Sequence, residues 1–476
     1  MCLWALLALG GVAIAATAQA QEAAVFAGDA GEDGLAADTS YQGRLAARHV
    51  ITTDSQGFQA QLLFFDADLD VKELARFGDK GRLNFMLNSR FLLDFTQSQR
   101  ISNNEFTGDG IQLNERRFGQ TQTFADVREL YVEAEDLGPV DIRAGRVWLF
   151  QAGGAWADGA QLQYNLSRNW STGIFGGLQP DPFDYLPTAD RQTAGTYAAY
   201  EADRFQFSGA YTAQLFGGNL DRHYLFSRAH WSVPTGNWGK SLFLSYYASL
   251  DLPNADAQVD DPVLTSFFTN ATYWANNTLN FSVHYARFAT SRLADPRQNR
   301  FAAEENQRPL LGNVINQGAY DQVRLSAVQR FSHYHVYQQI DIRDRNLLDQ
   351  RTAIYYRAGI RDSGFLGTNL FLHGRLTVRN NFLSDSTEFL VEAGHRFGTS
   401  FEIDAAFAYQ TGGSLIALQD QDVFFANARA SYDFTPDIYL SLDYDLTVET
   451  NIQQEELETA GSLLVHTVFT RLSYRL

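Results

Sequence analysis

Cysteine, methionine and lysine are nearly missing from this chain of 476 residues: it has one Cys, two Met and only Lys72, Lys80 and Lys240. After Ala20 it also has no run approaching the roughly 18 consecutive apolar residues of a membrane-spanning helix. Each absence closes a route. The single cysteine, Cys2, precedes an apolar stretch from Leu3 to Ala16 that leads into Ala18-Gln19-Ala20, the small-x-small pattern of a secretory signal peptide. Cleavage before Gln21 removes Cys2, so the mature chain is expected to have no disulfides, thiolate metal sites or thiol catalysis. Cys2 lies ahead of the apolar core rather than at the cleavage site, which argues against a lipoprotein.

Chemical motifs are missing too. There is no Gly-x-Ser-x-Gly, P-loop or His-Glu-x-x-His motif. There is no Cys-x-x-Cys-His either, so any haem would belong to a partner. His333 and His335 share a short stretch with Asp341, yet a metal needs ligands converging from several strands. Asp66-Ala-Asp68-Leu-Asp70 begins like a calcium loop but has Val71 and Phe77 where that loop needs Gly and Glu. No cofactor and no metal are expected. The net charge of −18 argues against nucleic acid as a partner, since phosphate binding needs a basic face.

What the chain does have is alternation. From Asp437 to Leu446, Ile438, Leu440, Leu442, Tyr444 and Leu446 fall on one face and Tyr439, Ser441, Asp443 and Asp445 on the other. Similar ribbons recur about every 20 residues, by the period-2 criterion, to the C-terminus. A sheet that large, with no helices to cover its oily side, needs lipid. Closure into a barrel is then required, because hydrocarbon tolerates no unpaired edge. A mean hydropathy of −0.26 with 36 Phe and 22 Tyr suits a barrel with aromatic girdles.

The expected fold is all-β, a transmembrane up-and-down antiparallel barrel of 22 strands, with 18 or 20 as alternatives. Residues 1–20 form the signal peptide, 21–40 an N-terminal periplasmic segment and 41–476 the barrel. Short connections such as 136–139, 275–278, 398–400 and 435–436 suit the periplasmic rim. Longer ones at 97–123, 179–192, 252–262, 289–317, 412–422 and 450–460 suit the outside. Of these, 97–123 and 289–317 are long enough to constrict or cover the pore. Residues 67–80, with Leu69, Val71, Leu74 and Ala75, could form a short helix.

Where the arginines point decides the interior. Arg324, Arg330, Arg343, Arg357, Arg375, Arg429 and Arg471 each lie opposite apolar neighbours in their strands. Turned to lipid at mid-depth they would cost roughly 15–25 kcal/mol, at about 2–4 each. That exceeds a typical total stability of about 5–15 kcal/mol. They are therefore expected to face the lumen, with Asp341, Glu392, Glu402, Asp404, Asp443 and Asp445, and with Tyr337, Tyr355, Tyr439 and Phe371. Two readings stay open: cross-strand ion pairs that stiffen the wall, or unpaired arginines forming a ladder for carboxylates, phosphates or sugar hydroxyls.

One hairpin carries a family likeness. Arg128-Glu-Leu-Tyr131 runs through a tight turn to Asp141-Ile-Arg143-Ala-Gly145-Arg146, which resembles a hairpin of the alginate-export and related carbohydrate-porin families. The resemblance implies an outer-membrane channel for anionic polysaccharide or similar solutes, with Arg143 and Arg146 as inward wall residues. The alternation agrees for Arg143, whereas Arg146 is out of phase unless Gly145 marks a bulge. Val468, Thr470, Leu472, Tyr474 and Leu476 alternate to the last residue, like the terminal signal read by barrel-assembly machinery, with Leu in place of the usual final Phe.

The expected function is an outer-membrane channel, a porin, passing small hydrophilic solutes, anionic or carbohydrate. Its surroundings would be outer-membrane lipid and lipopolysaccharide. The alternative is a non-enzymatic scaffold enclosing a periplasmic or cytochrome partner, and a barrel enzyme is the third class.

Overall fold

The computed structural model describes residues 39–55, 59–78, 80–95, 122–180, 186–235, 240–256, 259–289, 320–345, 352–382, 384–414, 419–451 and 462–476. The signal peptide, nearly all of 21–40, and nearly all of the connections 97–123, 289–317 and 450–460 lie outside the described residues.

Alternating ribbons become strands throughout. The first eight are β1 (Ser40–Asp54), β2 (Gln59–Phe77), β3 (Gly81–Asp94), β4 (Gln122–Leu137), β5 (Val140–Leu149), β6 (Ala155–Asn165), β7 (Trp170–Pro180) and β8 (Pro187–Ala202). Next come β9 (Phe205–Phe216), β10 (Asn219–Thr235), β11 (Lys240–Asp251), β12 (Val263–Trp274), β13 (Leu279–Phe288), β14 (Tyr320–Arg330) and β15 (Tyr334–Arg345). The last are β16 (Ala353–Asp362), β17 (Leu370–Asn380), β18 (Ser384–Phe397), β19 (Phe401–Ser414), β20 (Gln419–Asp433), β21 (Ile438–Asn451) and β22 (Ser462–Arg475).

Each strand pairs antiparallel with the next, and β1 pairs with β22 to close the ring of 22. The count is the expected 22 rather than 18 or 20. At the closing seam the Leu476 amide donates to the Gly43 carbonyl at 2.9 Å. Closure gives the strand backbones partners on both sides, the condition for crossing hydrocarbon.

The outer face is apolar. Val323, Leu325, Ile340, Ile342, Ile354, Ile360, Leu376 and Val378 are all exposed there, on consecutive strands. Aromatic rings gather beside the short turns, with Phe397, Phe401, Tyr432 and Phe434 in contact at centroid distances of 5.7, 6.3 and 4.8 Å. Trp170, Tyr200 and Phe205 repeat the arrangement at 5.0 and 5.9 Å. Such rings, apolar in body and polar at the tip for Tyr and Trp, suit the membrane–water boundary.

The helical expectation for residues 67–80 is corrected: Ala67–Phe77 belong to β2 and Gly78 to the turn after it. Between Val71↔Phe85 and Ala75↔Leu83 the register slips, with Glu73 at φ 57°. Two extra residues are inserted there, and Leu74 among them gives Leu69, Val71, Leu74 and Ala75 their apparent helical spacing.

Candidate functional site: the barrel lumen

Because successive side chains alternate, the face opposite the apolar exterior is the lumen. By register it carries Arg143, Arg324, Arg330, Arg343, Arg357, Arg375, Arg429 and Arg471. It also carries Asp341, Glu392, Glu402, Asp404, Asp443, Asp445, Tyr337 and Tyr439.

One arc of this face is basic. On β14–β18 stand Arg324, Arg330, Arg343, Arg357, Arg361, Arg375 and Arg379 against Asp341, Glu388 and Glu392. Asp341, 2% exposed, accepts from Arg324 at 3.1 Å, Arg343 at 3.0 Å and the Gln322 amide at 2.7 Å. Glu388 accepts from Arg375 at 2.6 Å and also from Arg379. Glu392 accepts from His373 Nδ1 at 3.0 Å, and His373 Nε2 accepts the Tyr337 hydroxyl at 2.8 Å. Arg357 meets no carboxylate among the described residues, and its Nε is buried without a hydrogen-bond partner. Arg361 lies over the Phe371 ring at 5.2 Å. Two carboxylates are each shared by two guanidinium groups, so the arc keeps a surplus of positive charge.

The neighbouring arc leans acidic. Arg429 pairs with Asp443 at 3.4 Å and donates to the Tyr439 hydroxyl at 2.7 Å. Asn427 donates to Asp445 at 2.5 Å, while Asp404 keeps one buried oxygen without a partner. Arg48 and Arg90 both meet Asp66, at 2.8 and 2.9 Å, which removes Asp66 from any calcium loop. Arg143 meets Glu133 at 2.5 Å. Among the described residues no group of three or more His, Cys, Asp or Glu could hold a metal ion.

The third arc is occupied by the protein itself. Pairing of β4 with β5 stops at Leu130↔Arg146 and that of β6 with β7 at Asp158↔Leu178, while β5 and β6 stay paired to Leu149↔Ala155. Beyond those points the hairpin leaves the wall as a tongue, residues 147–157, and enters the lumen. One face of it, Val147, Leu149, Ala152, Ala155 and Ala157, is buried with Phe175, Tyr197, Ala210, Tyr224 and Phe226 from the inner side of β7–β10. The other face carries Trp148 and Trp156, edge to face at 5.0 Å. The Tyr224 hydroxyl donates to the Ala152 carbonyl at 3.3 Å.

Gly145 explains the departure. Its φ of 129° is one that L side chains rarely adopt, and it marks the last pairing before the root, although the register itself runs through it unshifted, with Leu130↔Arg146 and Arg146↔Asp158. Arg146 then pins the root of the tongue, donating to Asp158 at 2.5 and 2.6 Å and to the Val127 carbonyl of β4 at 2.7 Å. Sequence reasoning placed the constriction in the longer connections 97–123 and 289–317 and did not single out 150–156. The available signal was Val147-Trp148-Leu149-Phe150, an unbroken apolar run where a one-sided strand would alternate.

A closed sheet, oily outside and charged within, has only one compatible solvent. This is an outer-membrane β-barrel. No known family profile matches the sequence, and neither does any curated protein, so the likeness of the 128–146 hairpin to alginate-export barrels stays a resemblance. Among solved structures, the chain is similar to OccK7 (OpdD) of Pseudomonas aeruginosa, at 9% identity and a TM-score of 0.44 over 93% of this chain and 99% of that one. It is similar to Pseudomonas aeruginosa OpdK with vanillate, at 8% identity and 0.43 over 92% and 98%. OccAB4 of Acinetobacter baumannii gives 8% identity and 0.41 over 92% and 98%. Likeness at this distance says nothing of solute or site, and the barrel stands on its own strand pairing.

Proposed function

We propose that this outer-membrane barrel is a channel for small hydrophilic solutes, with a preference for anions and acidic carbohydrates that travel along β14–β18. The observation that carries the reading is the cation surplus there, above all Arg357, which no carboxylate among the described residues neutralises. A guanidinium group stays charged at any relevant pH and binds carboxylates two oxygens at a time, so such a wall attracts and hands on anions. A tongue rooted in the lumen favours a channel over a sheath, since the chain itself fills space that a threaded partner would need.

Reversal potentials in planar bilayers under a salt gradient test the reading. Anion preference is expected for the native protein, reduced when Arg357→Ala and Arg361→Ala are combined. A barrel that inserts but never conducts, or one that prefers cations, overturns it.

A further inference from the structure

The inner faces of β4, β5 and β6 form a small cavity of about 80 Å³ near the short turn that joins β4 to β5. That is room for several waters, at roughly 10–15 Å³ each. Glu133, Glu135, Asp141, Arg143, Gln161 and Gln163 line it, so three carboxylates share the space with one guanidinium group. On a ring of 22 strands β5 stands half a turn from β16, which puts this corner across the lumen from the basic arc.

The three carboxylates are compensated unequally. Arg143 donates to Glu133 at 2.5 Å. Glu135 has Arg82 at 3.6 Å, but Arg82 lies closer to Asp136, at 2.7 Å. Asp141 has no cation within ion-pair distance among the described residues. Its oxygens accept only from neutral donors: the Asp136 backbone amide at 2.8 Å, the Asn165 side chain at 2.8 Å and the Gln163 side chain at 3.4 Å.

Gln161 lacks something as well. It is 2% exposed and donates from Nε2 to the Tyr197 hydroxyl at 2.5 Å, and that hydroxyl donates on to Gln163 Oε1 at 2.9 Å. This run of donors fixes which end of the Gln161 amide is which. Its Oε1 is left buried without a hydrogen-bond partner. A buried acceptor with no donor and a carboxylate with no counter-charge have one remedy in common, a cation that carries N–H groups.

We propose that this cavity binds a primary ammonium group, the end of a small alkylamine, whose N–H groups are shared among Gln161 Oε1, Asp141 and Glu135. A hard metal ion needs its oxygens gathered at about 2.3–2.6 Å, and no group of three acidic or imidazole side chains among the described residues could hold one. An ammonium nitrogen takes its acceptors farther out, at about 2.7–2.9 Å. Water alone would satisfy Gln161 and leave Asp141 without a counter-charge. The site lies on other strands than the basic arc, and binding to it does not require conduction, so it goes beyond the channel reading.

The test is saturation-transfer NMR on the purified full chain in micelles of a non-ionic detergent. The probe is n-butylammonium, and the control is tetramethylammonium, equal in charge but without N–H groups. Butylammonium is expected to bind saturably and at least about tenfold more tightly than the control, the worth of one charge-assisted hydrogen bond. Asp141→Asn should weaken it about tenfold or more for the same reason. Gln161→Glu, which puts a charge where the orphan acceptor stands, should tighten it, a gain that a merely structural role for Gln161 would not produce. Folding of each variant is checked by its heat-modifiable migration on gels. Tetramethylammonium bound as tightly as butylammonium would mean attraction to the acidic surface only, and overturns the proposal. So does butylammonium affinity that either variant, once folded, leaves unchanged. None of these results bears on the anion preference of the channel.

Discussion

Tyr337 lies across Gly359: a Cβ built on that glycine would stand 2.5 Å from the tyrosine hydroxyl oxygen. The ring thereby spans β16 and reaches His373 on β17. Gly359→Ala should push the ring off and break that bond, losing about 1–3 kcal/mol, the usual cost of overpacking. Gly374 lies on the outer face with nothing within 4 Å of its Cβ position, so Gly374→Ala should cost nothing or gain up to about 1 kcal/mol. Urea unfolding of both variants from lipid vesicles checks this, and equal stabilities would refute it.

Asp341 holds two arginines, and removing it leaves both without their carboxylate. Asp341→Ala should lose about 1–3 kcal/mol, the cost of leaving hydrogen-bonding groups without their partner, and should increase anion preference. Arg343→Ala should cost less, because Asp341 keeps Arg324 and Gln322. Unfolding midpoints and reversal potentials measured on the same preparations separate the two effects.

Adjacent residues on β19 test which face is which. Phe407 is 48% exposed on the outer side, and Ala406 pairs with Asn427 on the inner side. Phe407→Arg should destabilise the barrel by about 2–4 kcal/mol near mid-membrane, while Ala406→Arg should fold and raise anion preference. Folding yield into vesicles decides between them, and the opposite ranking would invert the assignment of faces.

Arg146 should control the tongue. Arg146→Ala removes both bonds to Asp158 and the one to Val127, so the root loses its side-chain tie to β4. Single-channel currents should become larger and noisier than those of the native protein. Arg146→Lys should restore them only in part, since a point charge cannot make the forked contact. Currents identical to native in Arg146→Ala would show that the tongue stays put without its anchor.

Much of this was legible because a barrel wall has one rule. Val323, Leu325, Arg324 and Arg330 could be sorted into faces from alternation alone, and the cost of an arginine in lipid said which face was which. The tongue broke that rule. One of its faces packs on the inner wall and the other carries exposed rings, Trp148 and Phe150, so Val147 to Phe150 show no alternation of polarity, and the residues that cover Val147 and Leu149, from Phe175 to Phe226, lie far along the chain. Arg146 looked misplaced for the same reason: it stands at the root of the tongue, where Asp158 and the Val127 carbonyl receive it. Residues 67–80 failed the other way, where a slip of register imitated a helical period. Which arginines keep free charge was also beyond the sequence, because Asp341 and Glu388 each serve two partners and Arg357 none.

The tongue has a consequence for how the barrel comes together. Strand pairs β5–β6 and β6–β7 close over short separations, but the tongue's oily face is covered only when β8, β9 and β10 stand beside one another. Until then Val147, Leu149, Ala152, Ala155 and Ala157 are in water, an adhesive strip on an unfinished wall. Contacts of longer range form later, so the tongue docks after the strands that shelter it. A chain stalled before β10 would carry its stickiest segment uncovered.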